Sequence, residues 1–398
     1  MFAGGLVLVA AIGGTGFVIG HYVGHNSSPT IVGTFPRSGF GQFPSGASGS
    51  FGNFPSGGTN VTPSTVPANA PSASESAKIA AKVDPGVVDI TTQLGYQSSS
   101  AAGTGMVLSS NGLVLTNNHV IDGATSISVR IVSTNKTYSA TVLGYSVTKD
   151  VALLQLKGAS GLTTITTANS SSVRSSQPVV AIGNAGGVGG TPSYAPGAVV
   201  ATDQSLTASD SDSLTGAEKL SGMIQVAANI EPGDSGGPLV NTQGQVIGMD
   251  TAGTATGSGL GFFGGDTAAT EGYAIPINTA LKIVDTIEKG TSTANVHVGK
   301  TPILGVEISA TLSGYEGVGN TVAGVQIAGL ASGTPAASSG LAAGDVITAL
   351  NSHTVTSATQ LSAYIQTLAP GDHVKVSYTT TSGTSATTTI TLVAGPAL

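Results

Sequence analysis

The segment EPGDSGGPLV, residues 231–240, places Ser235 between glycines, behind Pro232 and Asp234 and ahead of an apolar run that reads as a strand. Flanking glycines permit a tight turn and bring amide N–H groups close to a reacting atom. A serine hydroxyl is a weak nucleophile until a neighbouring base takes its proton, so this serine needs a base elsewhere in the chain. Of six histidines only His119, in LTNNHV, falls between residues 74 and 290. Asp150, in SVTKDVALLQL, stands just before an apolar strand, where a carboxylate can be held buried against an imidazole. Folded together, the three would supply nucleophile, base and orienting acid for attack on a carbonyl. Singly, each has a plainer reading: a hairpin-loop serine, a structural histidine near a strand end, a turn-forming aspartate.

The elements that must position them are mostly strands. From residue 86 to about 277 the chain runs through short β-rich segments, among them GVVDITTQL, SISVRIV, VALLQLK, PVVAIGN and GMIQVAA, separated by Gly, Asn and Ser turns. Many short strands with little helix between them predict a sandwich or barrels rather than a parallel sheet. SESAKIAAKV, with Ile79 and Val83 four apart and Pro85 behind, predicts a short helix where folded sequence begins, near Ser74. NTALKIVDTIEKG, 278–290, predicts a second helix, capped by Asn278, with Leu281, Val284 and Ile287 on one face and Gly290 ending it. Residues 291–302 read as a polar link. Beyond it ILGVEI (303–308), GLAAGDVITALNSHTV (340–355), a helix in SATQLSAYIQTL and a final strand pair predict a second folded unit.

Composition bounds the function. A chain of 398 residues, 40% of them hydrophobic, is long and apolar enough for two folded units plus tails. Only 8% of residues are charged, the net charge is -7 and no dense Lys/Arg run occurs, so a nucleic-acid footprint is missing. With no cysteine and with histidines at no ligand-like spacing, no metal or other cofactor is expected. Phe2 to Gly20 carries no charge, and about 20 helical residues cross a hydrocarbon core roughly 30 Å thick. Residues 1–24 are therefore predicted to be a transmembrane anchor. A cleaved secretory signal is the alternative, although the basic start of such a signal is absent. Residues 25–73 are rich in Gly, Ser, Pro, Thr and Asn, with Phe-Pro at 35, 43 and 54. Such a stretch buries too little apolar surface to offset its ordering entropy and is predicted to be a disordered linker.

The order His119, Asp150, Ser235 is that of chymotrypsin-type proteases, not of subtilisins or α/β-hydrolases. GTGMVLSSNGLVLTNNHVI, KDVALLQL, VVAIGN, IQVAANIEPGDSGGPLVN and GYAIPIN follow one another as the motifs of the trypsin-like HtrA (DegP/DegS) serine endopeptidases do, and the chain resembles that family over roughly residues 76–395. The resemblance implies a mainly-β fold, a chymotrypsin-like double β-barrel over 74–290, with His119 and Asp150 from the first barrel and Ser235 from the second. Ser235 would then form an acyl-enzyme, with the N–H groups of Gly233 and Ser235 as oxyanion hole. By the same resemblance the S1 walls are Thr251, Ala252 and Gly253 together with Gly272, Tyr273 and Ala274, with Asn229 and Ile230 near the base. No basic-residue-selecting carboxylate is evident at the base; Asp250 is the one nearby acid, strand alternation can turn it away from the pocket, and small or medium apolar P1 residues are expected. GTATGSGLGFFGGDTAATE, between these walls, reads as a flexible loop.

The second unit, 300–396, resembles a PDZ domain, with GLAAGDVI as its signature and Leu304, Gly305 and Val306 at the carboxylate-binding loop. In that mode a peptide adds a strand to the sheet edge and its C-terminal carboxylate is captured by loop N–H groups. The implied partners are polypeptide substrates, peptide C-termini and, through the anchor, a membrane, with protease and PDZ units on the extracytoplasmic side. A secreted form is the alternative. The family often assembles as homotrimers, and no residue here identifies such an interface. Non-proteolytic chaperone and peptide-binding sensor or scaffold are the competing functional readings. One residue departs from the family: HtrA proteins commonly carry asparagine before the nucleophile, where this chain has Asp234. In digestive trypsin-like enzymes that aspartate pairs with a new N-terminal amine, which an anchored chain does not offer. Asp234 must find another donor, stay solvated, or mark an inactive resting loop.

Overall fold

A computed structural model describes residues 66–95, 99–208, 218–254, 271–308 and 323–397. The predicted membrane span, most of the Phe-Pro linker and the loop between the S1 walls lie outside these residues. Among the described residues no helix is long and apolar enough to cross a membrane.

The short apolar runs pair antiparallel into two barrels. The first comprises β1 (Val87–Leu94), β2 (Ser99–Val107), β3 (Leu113–Thr116), β4 (Ser126–Ile131), β5 (Lys136–Ser146) and β6 (Val151–Leu156). Its strand order is β5-β4-β1-β2-β3-β6, and β5 pairs with β6 to close it. The second, also closed, comprises β7 (Pro178–Gly183), β8 (Ser193–Ala208), β9 (Glu218–Ala227), β10 (Pro238–Val240), β11 (Val246–Thr254) and β12 (Glu271–Pro276).

Strand parity explains why two barrels form. Along β6, Val151 and Leu153 join one apolar cluster while Ala152, Leu154 and Leu156 join another. Along β7, Val180 and Ile182 share the first of these clusters, whereas Val179 and Ala181 face the interior of the second barrel. Successive side chains point to opposite faces, so each of these strands feeds one barrel interior with alternate residues and a common seam with the rest. Helix α1 (Ala73–Val83) packs Ile79 and Val83 into that seam. It starts one residue before the expected Ser74, because Ser72 and Glu75 form a reciprocal capping box. The next helix, α2 (Asn118–Ile121), is a single turn between β3 and β4.

Helix α3 (Ile277–Glu288) buries Ala280, Ile283, Val284 and Ile287 in the seam. Asn278 is not its cap: Pro276 holds that position, and the Asn278 side chain instead bonds Ser170 N, Asn169 Oδ1 and Ser171 Oγ. Proline fixes the extended entry, and helix begins one residue before the asparagine.

The expected polar link is structured. Within it β13 (His297–Val298) adds a strand to β5 of the first barrel, and β14 (Thr301–Ile303) enters the C-terminal unit. That unit continues through β15 (Val306–Ile308), β16 (Val325–Leu330), β17 (Val346–Leu350), β18 (His353–Thr354), helix α4 (Ala358–Gln366), β19 (His373–Thr379), β20 (Ser385–Thr391) and β21 (Val393–Gly395). Its sheet runs β15-β16-β17-β19-β20, with β14 and β21 paired apart. Leu304, Val306, Ile347, Leu361, Ile365 and Val376 fill its core. Ile303, Ala331 and Ala397 pack instead into the cluster of the first barrel, where Gly123 N–H donates to the Ala397 carbonyl at 2.9 Å and Tyr145 Oη meets Thr301 Oγ1 at 3.2 Å. Because Ile303 is 1% exposed at this junction, Ile303→Ala is expected to cost about 2–5 kcal/mol. Limited proteolysis should then cut near 299–302 in the variant well before the parent protein, and equal cleavage rates would contradict this role.

Candidate active site

Asp150 closes a single helical turn in the left-handed region, φ 51° and ψ 48°, a conformation that Asp tolerates better than most residues. This bend sets a carboxylate, 5% exposed as a residue, at the mouth of the seam. It accepts three hydrogen bonds: from His119 N at 3.0 Å, from His119 Nδ1 at 2.9 Å and from Thr251 Oγ1 at 2.6 Å. A carboxylate accepts, so in this bond His119 Nδ1 is the donor. Asn117, just before α2, donates its side-chain amide to the Asp150 carbonyl at 2.9 Å. Thr251, on β11 of the second barrel, ties the third group in, because its carbonyl accepts from Ser235 Oγ at 2.6 Å. One residue therefore bonds both Asp150 and Ser235, and through it the chain His119–Asp150–Thr251–Ser235 is continuous.

Backbone geometry around Ser235 is set by glycine. Gly233 has φ 99° and Gly236 φ 87°. A Cβ on Gly233 would lie 2.2 Å from Asn184 O, and one on Gly236 would lie 2.1 Å from Thr104 O. Neighbouring amides are used within the protein: Asp234 N donates to Glu231 O, Gly236 N to Asp250 O and Gly237 N to Asp234 O. The N–H groups of Gly233 and Ser235 donate to no acceptor among the described residues. Thr104, missed by the sequence reading, donates its hydroxyl to Gly233 O at 2.7 Å and accepts Asn184 N at 2.9 Å. The GTGMVL motif that contains it was its only signal.

Of the three fates open to Asp234, local donors prevail. It is 4% exposed, and its carboxylate accepts from Glu231 N at 2.9 Å and from Ser193 Oγ at 3.3 Å. Burial pushes its pKa up to about 6, the two donors and the Glu231 charge making smaller changes. Asp250, fully buried, is pushed well above the usual carboxylate range by desolvation, with the Asp234 charge adding to the effect.

The expected S1 residues divide. β11 and β12 pair Asp250 with Ala274, Ala252 with Tyr273 and Gly253 with Gly272, and Ile230 packs over Gly272, where a Cβ would meet Ile230 Cδ1 at 2.4 Å. Thr251 and Ala274 are buried within this pair of strands. Asn229 is not held at the base: it is exposed and gives its amide to Glu231 Oε1 at 2.7 Å. Tyr273 packs against the seam. In the C-terminal unit the side chains of Leu304 and Val306 are core, which leaves only backbone to meet a ligand. Leu304 O and Gly305 O accept from Ala336 N and Ala331 N, while the N–H groups of Leu304 and Gly305 donate to no acceptor among the described residues.

Comparison with known proteins agrees with this architecture. A trypsin-like peptidase domain matches residues 103–249 and a PDZ domain residues 302–391. The chain is 33% identical over 371 residues to the serine protease PepD of Mycobacterium tuberculosis, covering 89% of this chain and 72% of that protein. It is 33% identical to the periplasmic pH-dependent serine endoprotease DegQ of Escherichia coli, over 70% of this chain and 57% of that one. Among solved structures, an HtrA-type protease AlgW with tripeptide aligns over 81% of this chain and 97% of its own at 27% identity and TM-score 0.46. Fold and relatives together define a trypsin-fold serine endopeptidase with a PDZ domain. The chain belongs to the HtrA family.

The Asp234 environment gives a signed pH prediction. Its pKa is higher folded than unfolded, so the folding penalty is absent below the unfolded value near 3.8 and fully present above about 6. A shift of about two pH units corresponds to roughly 3 kcal/mol at most. Asn keeps an acceptor for Glu231 N and can donate to Ser193 Oγ. Asp234→Asn is therefore expected to raise Tm more at pH 8 than at pH 4, and an equal change at both would contradict it.

Proposed function

We propose that His119, Asp150 and Ser235 form the catalytic triad of an endopeptidase that cleaves misfolded or regulatory proteins outside the cytoplasm. The observation that carries this reading is the bonded chain His119–Asp150–Thr251–Ser235. The Ser235 proton leaves the Thr251 carbonyl as Oγ turns toward His119 Nε2, which takes it during attack and later returns it to the leaving amine. Asp150 holds the tautomer and stabilises the imidazolium. Gly233 and Ser235 N–H, which donate to no acceptor among the described residues, receive the developing oxyanion, where one donor is typically worth about 3–4 kcal/mol.

Support for apolar P1 preference is the full burial of Asp250 and the small residues along β11 and β12. The PDZ unit, 300–396, captures a peptide carboxylate through Leu304 and Gly305 N–H, with the peptide extending along Val306 of β15. Residues 1–24 anchor the protein in the membrane and 25–73 tether the protease domain, 74–290, outside the cytoplasm. The name of the DegQ relative, a periplasmic endoprotease, favours that side. Assembly as a homotrimer follows family habit.

Ser235→Ala is expected to abolish casein cleavage and fluorophosphonate labelling with Tm preserved, whereas undiminished turnover would remove the mechanism. Asp150→Asn puts an amide donor against His119 Nδ1–H, favours the wrong tautomer and should lower kcat by about 10⁴-fold. A peptide library should show cleavage after Val, Ala or Leu, and efficient cleavage after Arg or Lys would overturn the pocket assignment.

A further inference from the structure

The two barrels touch again away from the triad, where a loop of the second lies on an ion pair of the first. Asp89 on β1 and Arg130 on β4 stand opposite each other in register. The guanidinium bonds the Asp89 carboxylate through Nη2, and Nη1 donates to Asn135 Oδ1 at 2.8 Å. The pair is only partly sequestered, its side chains being 26% and 6% exposed for Arg130 and Asp89. Over it passes the β7–β8 connection 184–190, NAGGVGG, four of whose seven residues are glycine. Such a segment has little conformational preference of its own and must be held from outside.

Arg130 supplies a hold. Its Nη2 lies 3.5 Å from Gly190 O, and a Cβ on Gly189 would sit 2.8 Å from the same nitrogen, so the loop backbone rests on the guanidinium. Within the loop Asn184 Oδ1 accepts Gly189 N at 2.6 Å. The near end of the loop then reaches the nucleophile turn, where Gly186 N–H donates to Pro232 O at 2.6 Å. A trans peptide is planar, with C=O and N–H on opposite sides. Holding the Pro232 carbonyl therefore fixes the direction of the Gly233 N–H.

We infer that Arg130, oriented by Asp89, is a positioning residue for catalysis: it pins the 184–190 loop so that Gly186 keeps the Pro232–Gly233 peptide in the orientation that presents Gly233 N–H to the oxyanion. The inference rests on the oxyanion-hole assignment above. A guanidinium suits this task because its donors lie in one rigid plane, able to serve a carboxylate, an amide oxygen and a backbone carbonyl together. If the peptide is free to turn over, the loss falls on the transition state and not on substrate binding.

The test measures kcat and KM on a fluorogenic peptide for the full chain and for Arg130→Met, Arg130→Lys and Asp89→Asn, with active sites counted by fluorophosphonate titration. Arg130→Met is expected to lower kcat per titrated site on the order of 10²-fold, with KM within about twofold. Arg130→Lys should recover part of the loss and Asp89→Asn should show a smaller one. A peptidyl boronate should lose affinity in step with kcat/KM. Should Arg130→Met fail to fold, the Lys and Asn variants carry the test. Variants that keep parental kcat per titrated site while only Tm or the titratable fraction falls would reduce the pair to a strand staple and overturn the inference. Retained cleavage in Ser235→Ala would instead defeat the underlying assignment, so the two failures are distinct.

Discussion

A carboxylate buried between two barrels is the constraint on which the rest depends. Taking such an ion out of water costs several kcal/mol unless its lone pairs are satisfied. Asp150 meets that demand with donors from both sides, His119 N and Nδ1 from the first barrel and Thr251 Oγ1 from the second. Neither barrel alone completes the set. The apolar seam makes the arrangement affordable in free energy: Val151, Leu153, Val180, Ile182 and the buried face of α3 lie within it, each large side chain contributing about 1.5–3 kcal/mol on full burial. Seam and carboxylate thus require each other's geometry. The strand that contributes Val151 and Leu153 begins immediately after Asp150.

The turn around Ser235 meets a second electrostatic problem without an ammonium group. Asp234 and Asp250 are both buried, and no cation among the described residues bonds either one. Two neutral donors, Glu231 N and Ser193 Oγ, serve Asp234, which leaves its pKa raised where a paired cation would lower it. Desolvation drives the Asp250 carboxyl upward in the same sense. The turn is held chiefly by close backbone packing: Gly233 against Asn184 and Gly236 against Thr104, at approaches that admit no side chain.

His119, Asp150 and Ser235 could be singled out because each sits at a boundary that sequence marks well: a strand-to-turn aspartate, a histidine in the turn after a strand, and a serine between glycines. The barrels could be anticipated from the many short strands with little helix between them. Residues that complete the site through distant hydrogen bonds were not legible. Thr104 reaches Gly233 across 129 positions, and a threonine in a strand carries no sign of its partner. Thr251 was read as pocket wall, while its hydroxyl serves Asp150. Asn278 was read as a helix cap because caps are recognised by residue type, but Pro276 starts the helix earlier and frees the asparagine for the 169–171 turn. The 291–302 stretch looked like a link because its pairing partner, β5, lies about 150 residues away, at Gly144 and Tyr145.

The first barrel is the common reference for these parts. It bears His119 and Asp150 directly, receives the 184–190 loop on Arg130, and seats the C-terminal unit through Ile303 and Ala397. Ala397 O bonds Gly123 N, four residues beyond His119, so the C-terminal unit contacts the first barrel close to His119 in sequence. Ser235 belongs to the other barrel. Close-packed interiors shift as bodies instead of deforming smoothly, and a displacement of about 1 Å between reacting groups can cost about 10²-fold in rate. The distance that most needs control is therefore the one between the barrels, and the bonds that bridge them include Thr251 Oγ1 to Asp150, Thr104 Oγ1 to Gly233 O, Arg130 Nη2 to Gly190 O and, backbone to backbone, Thr104 N to Ser235 O.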